Sequence, residues 1–186
     1  MKTPLQKVER KNAHPAKECA YLSMFVALLI AVQLAFSAVP GVELVTVMLA
    51  AYSFAMGAKR GAIAAVAFSM LRQLVFGFFP TVLVLYLLYY PAFSALFGLL
   101  GRKIIRPVRA LWMIVAVSGI TTACFTLIDN ILTPLWYGYS ERATELYFKA
   151  SLTFFVPQVI SAVLSVGVLF LPLWTIFSRL QKALNA

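Results

Sequence analysis

Charged residues are scarce in this chain: they make up 12% of its 186 residues, whereas 62% of the residues are hydrophobic. A soluble domain carries about 25% charged residues, because water must solvate its surface. The composition therefore excludes a water-soluble globular enzyme and is typical of a polytopic membrane protein. The length of the chain allows six spans of about 20 residues with short connections.

Residues for metal and acid–base chemistry are also scarce. The sequence has one histidine, His14, and two cysteines, Cys19 and Cys124. These counts exclude an H-E-x-x-H metalloprotease helix, a multi-histidine zinc site and a disulfide framework. We expect both cysteines to be small buried residues. The sequence also lacks a G-x-x-x-x-G-K-S/T phosphate-binding loop and a G-x-S-x-G nucleophile elbow, so we predict no catalytic residue, no metal ligand and no cofactor.

Six apolar runs follow one another, at about residues 19–38, 43–58, 61–78, 80–100, 110–133 and 151–178. Helix-breaking residues separate several of them, as at Pro40-Gly41 and Gly77. We predict an all-α integral membrane protein, a single domain of six transmembrane helices preceded by a polar cytoplasmic segment, residues 1–17. The second and third runs are short for a full crossing, and we expect residues 134–149 to form a longer, aromatic-rich connection.

The basic residues predict the orientation. The formal net charge is +10, and with the N-terminus inside, all but three of the 16 lysines and arginines fall on the cytoplasmic side. The exceptions are Arg72, within the third run, and Arg142 and Lys149, on the outer side. This positive-inside asymmetry predicts that both termini lie in the cytoplasm and that the chain lies in the bacterial plasma membrane. The charges flank apolar runs instead of forming one basic face, which argues against a nucleic-acid partner.

Three charged residues lie at predicted membrane depth, where an unpaired charge costs at least a few kcal/mol. They are Glu43, Arg72 and Asp129, all in the predicted outer half. Further polar and aromatic candidates at this depth are Gln73, Tyr86, Asn130, Trp136, Tyr137 and Tyr139. One interpretation is a structural ion pair between Arg72 and either Glu43 or Asp129. The other is a substrate-binding pocket, open to the outside, in which these residues hold a ligand.

The first run carries Ala27, Ala31 and Ala35, which the four-residue spacing puts on one helix face. Small residues on such a face allow another helix to approach closely. The face is either a partner interface or part of the packing within this chain.

The order of several local patterns resembles that of the S components of energy-coupling factor (ECF) transporters. The patterns are Ala27-x-x-x-Ala31, Val39-Pro40-Gly41-Val42-Glu43-Leu44-Val45, Gly57-Ala58-Lys59-Arg60-Gly61, Tyr90-Pro91, Gly98 and Arg102-Lys103. The resemblance extends over nearly the whole chain and depends on the order and spacing of the patterns.

The resemblance implies a six-helix subunit that binds a vitamin or related micronutrient from outside and docks on a transmembrane T component with two ATPases. Ala27 and Ala31 would form the docking face. The outer connections, near Pro40, at residues 77–80 and at residues 134–149, would enclose the ligand. The opening of the second run is most similar to cobalamin-type S components, and pyridoxine, pantothenate and queuosine-type ligands are the alternatives. A self-contained secondary transporter or channel is the competing class, and it would usually show internal repeats.

Overall fold

The computed structural model describes residues 15–39 and 44–184, and all secondary structure within those ranges is α-helical. The helices are α1 (Pro15–Phe36), α2 (Leu44–Met56), α3 (Ala58–Phe76), α4 (Pro80–Lys103), α5 (Leu111–Tyr137) and α6 (Glu141–Leu184). The prediction of an all-α chain is therefore confirmed for the described residues. The predicted turn at Pro40-Gly41 and most of the predicted polar segment lie outside them.

Four of these helices, α1, α4, α5 and α6, are long and apolar enough to cross a membrane. Helix α2 has 13 residues, which gives a length of about 20 Å, whereas a bilayer core is about 30 Å thick. Helix α3 has 19 residues but carries Lys59, Arg60 and Arg72. The architecture is compatible with a membrane-embedded protein in which α2 and α3 are the two unusual elements.

Helix α2 lies at the centre of the bundle. Every residue from 45 to 56 is buried, and α2 packs against α1, α3, α4 and α6. A helix that is apolar on all sides is stable where other protein elements surround it. Because α2 is enclosed in this way, its ends do not have to reach the surfaces of a bilayer.

Glycines allow close packing where α2 turns into α3. Gly57, between the two helices, has a φ of 93°, a conformation that side chains with a Cβ rarely adopt. Helix α4 approaches this turn so closely that a methyl group on Gly98 would overlap the backbone of Ala58. One on Gly101 would overlap the backbone of Phe54. These glycines therefore fix the position of α4 against the α2–α3 turn.

The short connections place the helix ends in two groups. At one end, which we call the basic end, Arg60 of α3 forms an ion pair with Glu18 of α1. The connections at residues 57 and 104–110 and the C-terminal part of α6 also lie there. At the other end, which we call the predicted outer end, lie the connections 77–79 and 138–140. The helices thus alternate in direction along the chain.

The prediction that residues 134–149 form a connection between helices is wrong, because most of this stretch is helical. Helix α5 continues through Pro134 to Tyr137, and Gly138 ends it in the left-handed conformation (φ 63°), with its N–H bonded to the Pro134 carbonyl. Ser140 then caps the start of α6, where its Oγ accepts the Ala143 N–H at 3.3 Å. The 44 residues of α6 make a helix of about 66 Å, so it is longer than the bilayer core by itself.

The expectation of buried cysteines is also wrong, since Cys19 and Cys124 are both exposed. Many large apolar residues share this exposure, among them Leu74 and Trp112 at 82% and 75%. In a bundle surrounded by lipid, an apolar side chain gains little by turning inward, so residue type does not separate core from surface.

Candidate functional site

Arg72 lies one turn before the end of α3 and joins three helices at the predicted outer end. Its Nε donates a hydrogen bond to Gln33 Oε1 of α1 at 3.2 Å. Its guanidinium carbon lies 4.8 Å from the ring centre of Phe76 and 4.6 Å from that of Tyr86 in α4. The Gln33 amide also donates to the Tyr86 hydroxyl at 3.4 Å. The charge is thus stabilised by two aromatic faces and an amide.

The structure does not pair Arg72 with Asp129, whose carboxylate has other contacts. Glu43, the other expected partner, lies outside the described residues. One guanidinium nitrogen, Nη1 of Arg72, is buried without a hydrogen-bond partner, and so is Nε2 of Gln73. The Oε1 of Gln73 accepts the Phe79 N–H at 3.2 Å and so holds the turn between α3 and α4.

Asp129 lies in a second polar group, between α5 and α6. Its Oδ1 accepts the Thr133 hydroxyl at 2.8 Å, and its Oδ2 accepts the Tyr147 hydroxyl at 2.9 Å. The adjacent Asn130 donates to Ser151 Oγ at 2.8 Å. The two helices run antiparallel from the connection at 138–140, so polar residues in the last turns of α5 face those in the first turns of α6.

Two clefts open on this α5–α6 pair. One, the Asp129 cleft, has a volume of about 260 Å³ and is lined by Phe125, Asp129, Tyr147, Ser151, Phe154 and Gln158, among others. The other, the Asn130 cleft, has about 420 Å³ and includes Asn130, Pro134, Tyr139 and Phe148 in its lining. The volume of the Asp129 cleft is slightly below the usual range for small-molecule sites, and that of the Asn130 cleft is at the lower end of that range.

The two polar groups are connected by aromatic rings. The Tyr86 ring, which the Arg72 guanidinium contacts, lies 5.9 Å from the Phe125 ring in an edge-to-face arrangement. Phe125 in turn lines the Asp129 cleft. A substitution of Arg72 can therefore affect the cleft through its contact with Tyr86 and the contact of Tyr86 with Phe125.

No family model, curated protein or solved structure matches this chain. Within residues 15–39 and 44–184, no group of three or more histidine, cysteine, aspartate or glutamate side chains could hold a metal ion. The candidate site is therefore described from the geometry of the predicted outer end alone.

The aromatic candidates lie at the edge of this region. Trp136 and Tyr137 are about half exposed, and Tyr139 is 41% exposed. The Tyr139 ring stacks on Tyr137 with 6.1 Å between ring centres and meets Tyr147 at 6.0 Å. Of the three, Tyr139 lines a cleft.

Several residues of the site were not expected from the sequence, namely Gln33, Phe125, Thr126, Tyr147, Ser151 and Gln158. Gln33 could have been identified from the sequence, because it is a polar residue within an apolar run. Tyr147 was not identified because residues 134–149 were interpreted as a connection, so no helix face was assigned to it. Ser151 is the first residue of the sixth predicted run and was not singled out there.

Helix α5 also carries a buried polar stripe. Ser118, Thr122, Thr126 and Asn130 follow one another at four-residue intervals, and all four are buried. Thr126 donates to Gln158 of α6 at 3.4 Å, whereas Ser118 Oγ, Thr122 Oγ1 and Asn130 Oδ1 have no hydrogen-bond partner. The stripe extends from the Asp129 region toward the basic end, so polar groups are not confined to the predicted outer end.

Proposed function

We propose that this chain is the substrate-capturing S component of an ECF-type ABC importer in the bacterial plasma membrane. It crosses the membrane six times with both termini in the cytoplasm and binds a vitamin or related micronutrient from outside. It then docks on a transmembrane T component with two ATPases, which supply the energy for uptake. The observation that carries the proposal is the concentration of half-buried charged residues, aromatic rings and clefts at one end of the bundle, opposite the basic end.

The distribution of charge supports this orientation. The connection between α4 and α5 carries Arg106 and Arg109, and α4 ends in Arg102 and Lys103. At the opposite end the basic residues are fewer, and Lys149 there is paired with Glu145 of the same helix. An excess of basic residues on one side is typical of the cytoplasmic surface.

The clefts support capture of a small ligand. Each is lined mostly by apolar and aromatic side chains with a few polar groups, as small-molecule sites are. Volumes of about 260 and 420 Å³ favour the smaller ligands that the resemblance suggests, such as pyridoxine, pantothenate or a queuosine-type base. They disfavour cobalamin, whose corrin ring system is far larger.

The exposed face of α1 supports docking. Ala27, Ala31 and Ala35 are all exposed, and Met24 and Leu28 beside them are 67% and 49% exposed. The opposite face of α1, with Phe25, Val26 and Leu29, is buried against the bundle. Among the described residues the alanines are thus exposed and not packed against the bundle, and in this proposal they form the face that a helix of the T component contacts.

Co-expression with a T component and paired ATPases tests the proposal. We expect the four chains to purify as one complex, and we expect native mass spectrometry of the chain alone to detect a retained small molecule. Absence of a complex with every ECF module tested, including one encoded in the same genome, would contradict the assignment. As a control, a polytopic membrane protein of similar size should not be retained by the same partners.

A self-contained secondary transporter or channel is the second candidate, and the buried polar stripe of α5 favours it. Ser118 lies seven residues after Leu111, so the stripe comes within roughly 10 Å of the basic end. Reconstitution of the chain alone into vesicles separates the candidates. Solute flux without partner subunits would support the transporter, whereas binding without flux would support the S component.

A further inference from the structure

We propose that the Asp129 cleft binds the positively charged nitrogen of a small organic cation, such as an alkylammonium or a charged nitrogen heterocycle. This inference rests on the proposed function and names the class of ligand that the site takes.

The first support is the uncompensated charge of Asp129. Its two oxygens accept hydrogen bonds from neutral hydroxyls, those of Thr133 and Tyr147. The ion pairs formed among the described residues, Arg60–Glu18 and Lys149–Glu145, do not involve it. Each carboxylate oxygen can accept more than one hydrogen bond. The carboxylate is therefore held in place, and its negative charge can still attract a positively charged group.

The second support is the aromatic lining. Phe125, Tyr147 and Phe154 line the same cleft as Asp129. The face of an aromatic ring attracts a cation whose charge lies within about 6 Å of the ring centre, most strongly where water is excluded. A carboxylate surrounded by rings is thus suited to an organic cation, because the rings also bind its apolar part.

The third support is the position of the basic residues. Neither lysine nor arginine is among the described residues that line the Asp129 cleft or the Asn130 cleft. Arg72, the charged residue of the neighbouring group, is not among the lining residues of either cleft and contacts Tyr86, which in turn contacts Phe125. An anionic ligand in either cleft would lose its hydration without gaining a basic partner. The charge pattern therefore favours cations, and among the ligands of suitable size it disfavours pantothenate, which is a carboxylate.

The size of the cleft limits the ligand. A volume of about 260 Å³ is slightly below the usual range for drug-sized ligands and fits a single ring with a charged substituent. Ser151 and Gln158 in the lining can contact polar groups on such a ring.

Calorimetric titration of the full chain in lipid nanodiscs tests the charge preference with three probes. Benzyltrimethylammonium carries a positive charge, benzyl alcohol is neutral and benzenesulfonate is negative, while all three have one aromatic ring. We expect saturable binding of the cation, and affinities for the other two that are at least about tenfold weaker, as for the loss of a charged interaction. Equal or tighter binding of benzyl alcohol or benzenesulfonate would overturn the proposal.

Two variants assign the binding to this cleft. Asp129→Asn keeps the shape of the side chain and removes its charge, so we expect it to weaken benzyltrimethylammonium binding about tenfold or more. Glu145→Gln is the matched control, because Glu145 is an exposed acid on α6 that pairs with Lys149, and it should leave binding unchanged. Unchanged binding by Asp129→Asn would mean that the cation binds elsewhere or partitions into the lipid, and would overturn the assignment.

A ring variant keeps the test decisive if Asp129→Asn does not fold. Phe154 is 59% exposed, so Phe154→Leu should fold normally and still weaken binding of the cation several-fold through loss of the ring face. An unchanged affinity in this variant would also contradict the proposal. The titrations use the chain without partner subunits. Cation binding can therefore be absent while the complex with the T component and ATPases forms, and cation binding can be present while no complex forms. The two proposals are therefore tested separately.

Discussion

The guanidinium carbon of Arg72 lies 4.6 Å from the ring centre of Tyr86, and the Tyr86 ring lies against Phe125 of the Asp129 cleft. Because Arg72 also bonds Gln33 of α1, one side chain connects α1, α3 and α4 beside the proposed binding site. An arginine at this depth is retained where it has partners or a function, and the contacts with Tyr86 and Gln33 supply the partners.

We predict that Arg72 affects ligand binding through Tyr86. Arg72→Ala should weaken binding of benzyltrimethylammonium about tenfold, since Tyr86 loses the contact that holds its ring. Tyr86→Leu should cause a similar loss, and the double variant should be hardly weaker than either single one, because residues that act through one contact are not additive. Arg72→Lys keeps the charge but loses the planar fork, so its affinity should lie between those of the wild type and Arg72→Ala.

Calorimetric titration of the correctly folded fraction measures these affinities. Additive losses in the double variant would instead indicate that Arg72 contacts the ligand directly. If Arg72→Ala lowers the unfolding temperature and leaves the affinity unchanged, Arg72 is part of the scaffold and does not belong to the site.

Labelling of introduced cysteines tests the orientation. Cys19 and Cys124 are exposed, so both must first be replaced by serine. In that background, we expect Ser140→Cys, in the connection between α5 and α6, to react with a membrane-impermeant thiol reagent added to intact cells. Ile105→Cys, at a position that is 90% exposed in the connection between α4 and α5, should react after the cells are opened. Reaction of Ile105→Cys in intact cells would contradict the predicted orientation and would mean that the clefts face the cytoplasm.

Much of the helix order could be predicted because its signals are local. Long apolar runs and the breaks at Gly77 and Pro80 depend on residues close in sequence, and the structure ends α3 and begins α4 there. The extent of α5 and α6 could not be predicted, because polar residues and Pro134 are equally typical of a connection. Contacts with the facing helix, such as that between Asp129 and Tyr147, help to keep this stretch helical.

The composition of the candidate site was only partly predictable. Arg72 and Asp129 were identified because they are charged residues at predicted membrane depth, where an unpaired charge is costly whatever the fold. The choice of partners depends on which helices pack together, and the sequence gives no such distances. Arg72 contacts Gln33 and not Asp129 for this reason. The exposure of individual apolar residues could not be predicted either, since in a membrane-embedded bundle the residues that face lipid and those that form the core are both apolar.

We expect Gly98→Ala to destabilise the chain. The added methyl group would overlap the N and Cα atoms of Ala58, and backbone atoms cannot move aside as a flexible side chain can. Overpacking of this kind costs about 1–3 kcal/mol, which should appear as a lower unfolding temperature in detergent. Gly167→Ala is the matched control, because the nearest atom to its added methyl group is 4.0 Å away. Equal stability of the two variants would contradict the close approach of α4 to the α2–α3 turn.

The exposed face of α1 provides the test that separates docking from binding. Ala27→Trp or Ala31→Trp should block close approach by a partner helix, so the complex with the T component and ATPases should lose uptake or fail to form. Binding of benzyltrimethylammonium by the isolated chain should remain unchanged, because both alanines are exposed and face away from the bundle. Ala116→Trp makes the same change at an exposed position of α5 and should leave the complex intact. If the α1 variants also lose ligand binding without partners, the face packs within the chain, and the docking surface must be sought on another helix.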